Sequence, residues 1–598
     1  MIRRDRNPGR PRKNHPQTTA AALLLLAAGG CSSPFREPSS GELRASIITS
    51  AQRELAEAQS SPSPITLTRN TSDLEFTPER RAELETMAGP TAYAGADLPD
   101  LGPDLLGGAT RAFSINLEQT VARAVEENLS VQSARLAPAI SRQQVAAAEA
   151  AFDWVLFADL SWQSIDEPNA VPVIGGIPIG SGASQSDNIN YETGLRKQLT
   201  SGGAFSVSQG QGYRDNQSPG VSVFPDPAQS PFVNLQLSQP LLRGFGSDVA
   251  LAEVRLARNL ERTSIYQLKQ SLLATTTDAE RAYWNLALAR QNLQIQQRLL
   301  ERGVETRDIL ANRRVFDVRP AEYADAVATV ERRKGNVIRA VNALRNASDE
   351  LKSIINDPEL TTGGEALLVP ADAPVDEPIT FSLLDALTAA IDNRPELQRA
   401  LLNIQDASIR RQVADSLRLP LLDLTAQARF QGLNEDLGEA YEDITEAQFV
   451  DLLAGIRFEQ PIGNRAGEAQ YRQRQLELMQ ASVDYRAAVQ RIVLEVKRAL
   501  RQVETNYKLI EQSRTARLAA TENVRTLQVL ERTTQALSPD FLDLKFRRQE
   551  SLANAELEEA QALVNYQIAL AELVAATGTA LERNGIRFVV PEAAEPSP

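Results

Sequence analysis

Two hydrophobic rhythms run along this chain, and each appears twice. From Leu422 to Phe430 the apolar residues Leu422, Leu424, Ala426, Ala428 and Phe430 alternate with Asp423, Thr425, Gln427 and Arg429. A period of two gives a β-strand one apolar and one polar face. A partner strand sets Leu452, Ala454, Ile456 and Phe458 against Gly455, Arg457 and Glu459, with only Leu453 out of pattern. Earlier, Val233, Leu235 and Leu237 alternate with Asn234, Gln236 and Ser238, after a less regular stretch from Trp154 to Gln163. Strand-like sequence between Asn188 and Arg214 (Tyr191 to Leu199, Ala204 to Gln209) predicts an extra hairpin or a long external loop. Two-faced strands suit a membrane barrel with lipid outside and water inside. Taken alone, they suit a half-buried soluble sheet at least as well.

The second rhythm is helical. No Gly or Pro occurs from Glu468 to Ser538, which permits one helix of about 105 Å; the run from Ser247 to Arg302 permits about 84 Å. The earlier run carries Ile265, Leu272, Ala279, Leu286, Leu293 and Leu300 at a seven-residue spacing, with Leu268, Ala282 and Ala289 between them. Such a repeat is a coiled-coil seam, and its Ala steps allow close packing. The later run places Ile492, Val496, Ala499, Val503 and Ile510 on one face. Each run meets a break, near Val315 to Ala321 and near Leu537 to Asp540. A return helix follows each break, ending at Asn356-Asp357-Pro358 in one case and at Thr577-Gly578 in the other.

The two occurrences share words as well as rhythm. Ala124-Val125-Glu126-Glu127-Asn128 through Ala134 aligns without gaps to Ala390-Ile391-Asp392-Asn393-Arg394 through Ala400. Both final strands run into a Gln-Pro step: Gln239-Pro240-Leu241 with Gly244 and Gly246, and Gln460-Pro461-Ile462 with Gly463 and Gly467. Pro cannot continue a ladder and Gly tolerates unusual dihedrals, so each is a strand-to-helix junction. The expected divisions are a first repeat at 113–358, a linker at 359–378, a second repeat at 379–586 and a tail at 587–598.

Composition narrows the chemistry. One His and one Cys in 598 residues leave no His/Cys metal cage and no Cys/His nucleophile pair within one subunit, and no cofactor is expected. Residues 1–30 resemble an export signal: Arg3, Arg4, Arg6, Arg10, Arg12 and Lys13 precede the apolar run Ala20 to Ala28. The run ends in Ala28-Gly29-Gly30-Cys31, which resembles a bacterial lipobox and makes Cys31 the expected lipidation site. Cleavage before Cys31 removes six positive charges and one negative, taking the formal net charge from -14 to -19. A chain so acidic is no partner for nucleic acid. Residues 31–112, rich in Pro, Ser, Gly, Thr and Asp, compose as a tether. No later stretch is apolar enough for a transmembrane helix, so any membrane crossing is by strands.

The duplicated order of helix, strand pair, Gln-Pro junction, long helix, tip and return helix resembles the TolC-like outer-membrane efflux family from Phe113 to about Ile586. So does the closing pattern Tyr566-x-x-Ala569-x-x-x-Leu573-x-x-x-x-Gly578. The resemblance implies a mixed α/β membrane protein, three subunits sharing one β-barrel that continues into a long α-helical coiled-coil barrel. It further implies a passive outer-membrane exit duct for an efflux or type I secretion system, with no catalysis of its own. Its expected partners are two further copies, a periplasmic adaptor, and an inner-membrane efflux pump or ABC transporter. The tips, with Val318, Pro320, Ala321, Ser538 and Pro539, become the docking end. Asp540 and Asp543, in Asp540-Phe541-Leu542-Asp543, match two Asp residues of the family that ring the closed end. The family's locking Tyr and Arg fall at Glu531 and Ala536, and its first-copy Asp partner at Glu322, so any lock here uses other bonds. Against this stand a coiled-coil scaffold, which gives the strand pairs no purpose, and an adaptor, which has one hairpin. An enzyme is the third alternative: Gly175 and Gly180 have phosphate-loop spacing, but Ser181 stands where such a loop needs Lys.

Overall fold

Long uninterrupted helices form where the sequence avoids Gly and Pro, and a sheet forms where it alternates. The computed structural model describes residues 64–68, 76–93, 101–105, 107–178, 180–220, 222–313, 318–533 and 539–589, with positions 49, 52–53 and 56. The export signal, Cys31, Ser538 and residues 590–598 lie outside the described residues.

A helix α1 (Pro78–Met87) and a short strand β1 (Ala112–Ile115) come first. Next are α2 (Leu117–Glu127) and α3 (Leu129–Glu149), hinged at Asn128, whose side chain accepts from the backbone N–H groups of Ser130 and Val131 and so caps α3. Four strands follow: β2 (Val155–Pro168), β3 (Ala183–Gln198), β4 (Ala204–Asn216) and β5 (Ala228–Pro240). Helix α4 (Ala252–Arg313) returns as α5 (Pro320–Ile355), and β6 (Leu367–Pro370) pairs in parallel with β1. The second half runs α6 (Leu383–Asn393), α7 (Pro395–Ser416), β7 (Leu421–Gln431), α8 (Leu437–Thr445) and β8 (Phe449–Glu459). It closes with α9 (Arg465–Thr533) and its return α10 (Pro539–Thr577).

Helix α4 does not stop where the Gly-free run stops; it passes through Gly303. A mid-helix Gly costs about 1 kcal/mol relative to Ala. The physical reason lies on α5: a Cβ at 303 would sit 2.8 Å from the guanidinium of Arg333. That side chain, 1% exposed, crosses to donate to the Leu299 carbonyl and to Gln549 Oε1, each at 2.9 Å. Along the seven-residue seam Leu268, Leu272, Ala279, Ala282, Leu286 and Leu293 are buried, while Ile265, Ala289 and Leu300 are half-buried. Leu286 and Leu293 pack on Leu344 and Leu351 of α5 and Val564 of α10, so this seam is satisfied inside one subunit. Tyr283 and Trp284, off the seven-residue register, share that core. On α9, Ile492, Val496, Val503 and Ile510 are buried and Ala499 is half-buried.

Six antiparallel strands form one sheet in the order β8-β7-β5-β4-β3-β2. The strand-like sequence before Arg214 is therefore a full hairpin, β3 and β4, inserted between β2 and β5. Register carries one apolar row across all six strands: Leu156, Leu195, Val207, Leu235, Ala428 and Leu452. The row behind it, on the other face, reads Phe157, Gly194, Ser208, Asn234, Arg429 and Asp451. The sheet is open, with β2 and β8 as its edges.

Candidate functional site

Adjoining the sheet, helices lie side by side in the order α3-α4-α7-α9; farther along, the order is α5-α4-α10-α9. Edge helix α3 leads directly into edge strand β2, and edge strand β8 leads directly into edge helix α9. The same two flanks expose apolar residues: Leu129, Leu136 and Ile140 on α3, and Leu476, Met479, Val483 and Leu494 on α9. Spacings of three, four, seven and eleven keep each set on one helix face. On the strands, Leu156, Leu160 and Trp162 of β2 and Leu452, Ile456 and Phe458 of β8 are all at least 65% exposed. An apolar surface this extended marks an interaction site.

The apolar face of the sheet also carries polar residues, among them Thr193 and Gln211. By register Tyr191 shares the face of Leu160, and Gln209 that of Val207. Helix α8 reaches both: the Tyr441 hydroxyl accepts from Gln209 Nε2 at 2.5 Å and lies 3.3 Å from the Tyr191 hydroxyl.

Both junctions turn the chain sharply, by different means. Pro240 is the last residue of β5, opposite Asp423. Gly244 and Gly246 then take φ values of 85° and 96°, which only Gly adopts freely. The Gly244 N–H donates to Ser416 Oγ at 2.9 Å, and Gln239 exchanges hydrogen bonds with Ser201 in the β3–β4 turn. Pro461 follows the end of β8, with Gly463 at φ 85°; Asn464 Nδ2 donates to the Arg418 carbonyl, and a Cβ at Gly467 would lie 2.9 Å from the Leu417 carbonyl. Both junctions touch the end of α7, and the first is also clasped by the neighbouring β3–β4 turn.

At the far end the two tips lie together. Val318, Tyr323 and Phe546 pack around buried Leu310, Ala326 and Leu542, which come from α4, α5 and α10. Pro320, Ala321 and Pro539 are exposed. Glu322 accepts from the Arg319 N–H at 3.0 Å, capping its own helix. Asp540, on the first turn of α10, and Asp543, one turn on, are exposed, and Asp543 pairs with Arg547 at 2.6 Å. A groove of about 290 Å³ between α5 and α10 is lined by Glu322, Asp325, Arg332, Asp543, Arg547 and Glu550. Just inside it Lys545, 7% exposed, bonds both carboxylate oxygens of Glu531 at 2.8 Å. That pair ties α9 to α10, and the sequence missed it because the two residues meet only once the hairpin closes.

No protein-family model matches the sequence, and no curated protein does. Solved structures match along most of the chain. The CmeC outer membrane channel of Campylobacter jejuni aligns with TM-score 0.57 at 16% identity, over 86% of this chain and 95% of that one. The MtrE outer membrane channel of Neisseria gonorrhoeae, in its open state, gives 0.53 at 20% over 78% and 89%. The outer membrane protein VceC of Vibrio cholerae gives 0.54 at 13% over 77% and 96%. At such identities the likeness is one of fold.

Proposed function

From the TolC-like fold that this chain shares with those channels, we propose that it is an outer-membrane exit duct built from three copies. The observation that carries this is the coincidence of edges. A second copy placed against one flank covers an exposed strand and an exposed helix stripe together, and a rotational repeat of that contact closes a ring. Three copies pool eighteen strands into one barrel, its apolar face toward lipid and its polar face toward water. The helices continue as a tunnel wall, with Pro240, Gly246, Pro461 and Gly467 where barrel becomes tunnel.

In this arrangement the tips form the periplasmic end. Val318, Pro320, Ala321, Ser538 and Pro539 offer an adaptor its docking surface, and an inner-membrane efflux pump or ABC transporter supplies the energy. Asp540 and Asp543 of three copies put six carboxylates around the axis, repelling one another and attracting cations. Cys31 carries lipid that holds the start of the chain at the outer membrane. Transport is passive, with the repeats at 113–358 and 379–586 as two staves of the tunnel.

The deciding experiment is purification in detergent with mass determination and negative-stain imaging. A trimer with an elongated profile that conducts ions in a planar bilayer is the expected result. A monomer that inserts no channel overturns the proposal.

A further inference from the structure

Residues 31–112 compose as a tether, yet part of that stretch is built into the helical body. Helix α1 starts at Pro78 behind the N-cap Thr77 and buries Leu84. Past its end, Ala88 packs with Ala520 and Val524 of α9 and Leu552 and Ala555 of α10. Five residues on, Tyr93 packs with Ile295 and Leu299 of α4 and Ala553 of α10. A short segment therefore touches both hairpins in succession.

Two arginines, one from each hairpin, grip its backbone. Arg517 of α9 is 1% exposed, and its guanidinium donates to the Ala88 carbonyl, to Glu559 of α10 and to Glu85 of α1, the last at 2.7 Å. Arg298 of α4 donates to the Ala92 carbonyl at 2.7 Å and lies 4.2 Å from the centre of the Tyr93 ring. Next to the Ala88 grip is Gly89, where a Cβ would fall 2.9 Å from the Arg517 guanidinium, 2.7 Å from Glu85 Oε2 and 3.0 Å from the Glu85 carbonyl oxygen. A side chain at this position would crowd the Arg517–Glu85 contact. Outer pairs add to the hold, Arg80 with Glu522 at 3.7 Å and Arg525 with Glu83 at 4.0 Å, though exposed pairs contribute little.

We infer that residues 77–93 are an internal strap, docked across the two hairpins through Arg517 and Arg298, which fixes one hairpin against the other and restrains the tips from parting. Burying a guanidinium is costly unless every direction is satisfied. Here the segment itself supplies the Ala88 carbonyl and Glu85, so strap and groove stabilise each other. Restraint of the tips rests on the duct reading above; the docking of the strap does not.

The test uses the full-length protein in detergent, comparing wild type with Gly89→Val, which wedges the guanidinium off from the strap side, and Arg517→Met. The second variant leaves Glu559 with Arg514, 3.1 Å away, so no carboxylate is stranded. Limited trypsin digestion at Arg80 and Arg81 reports undocking, and should be about tenfold faster in both variants, since cleavage tracks the open population. Amide exchange should rise around Ile295–Leu299 on α4 and Ala520–Val524 on α9, and single-channel conductance should rise with it. Faster cleavage with unchanged exchange and conductance overturns the inference, because the segment would then be passive cover. So does unchanged cleavage in Gly89→Val. If the wild type is no trimer, the duct reading fails, whereas cleavage and exchange still judge the docking.

Discussion

The ammonium group of Lys545 bonds both carboxylate oxygens of Glu531 at 2.8 Å, joining the two arms of the second hairpin just inside its tip. Both side chains are largely out of water, at 9% and 21% exposure, so neither charge is well solvated alone. Lys545→Met should cost about 3 kcal/mol by stranding Glu531. Paired with Glu531→Leu, most of that loss should return. Thermal unfolding of the two single variants and the double checks this, and single-channel recording of the double variant should show a larger open fraction.

The proposed acidic ring makes a graded prediction. Asp543 is partly neutralised by Arg547, whereas Asp540 sits on the first turn of α10 with both residues exposed. Replacing either by Asn should weaken cation selectivity and block by multivalent cations, with Asp540→Asn having the larger effect. Equal selectivity in wild type and the double Asn variant would reduce both residues to helix-start charges favoured by the dipole.

Flank and core substitutions should separate. Leu286 is 0% exposed inside the subunit, so Leu286→Asp should prevent folding of the hairpin itself, at a cost of several kcal/mol. Val483 is 52% exposed, so Val483→Asp should leave a folded chain by circular dichroism while removing the trimer in detergent. A Val483→Asp trimer of wild-type stability would move the subunit contact elsewhere.

Cys31→Ser should abolish acyl labelling and leave barrel assembly largely intact, since the barrel buries its own apolar band. Labelling that persists would place the lipid on another residue.

Glu556 of α10 gives a pH dependence. Burial pushes its carboxyl above the usual range, opposed by Arg302, Arg298 and Arg517 and beside the Tyr93 hydroxyl. A carboxyl raised on folding favours the native state most at low pH, and the advantage fades as pH rises through its unfolded and then its folded value. Wild type should therefore lose melting temperature between mildly acidic and neutral pH, and Glu556→Gln should lose less.

What the sequence made legible was whatever depends on local rhythm. The Gly- and Pro-free runs became α4 and α9, and the alternation around Leu235, Ala428 and Leu452 became rows of one sheet, because period and strand geometry are properties of neighbours. What it hid depends on partners far along the chain. Thr77 to Tyr93 composes as linker, and partners such as Arg517, more than 400 residues away, and Arg298 make it structure. Gly303 ends the Gly-free run but not the helix, and its place against Arg333 shows only in the fold. Tyr283 and Trp284 fall outside the seven-residue seam because α4 packs against two helices at once.

In the proposed three-copy duct, the inserted β3–β4 hairpin has a consequence for the bore. Six strands spaced 4.8 Å apart and tilted about 40° occupy about 38 Å of circumference. The four helices beneath them, about 9 Å apart, occupy about 36 Å. Without that hairpin the sheet would span only about 25 Å, and each subunit would have to flare by nearly half where strand becomes helix. With it, the wall passes from one material to the other at constant width, so the junction needs no shoulder, and a cargo that clears the tips meets no second narrowing imposed by the count of strands.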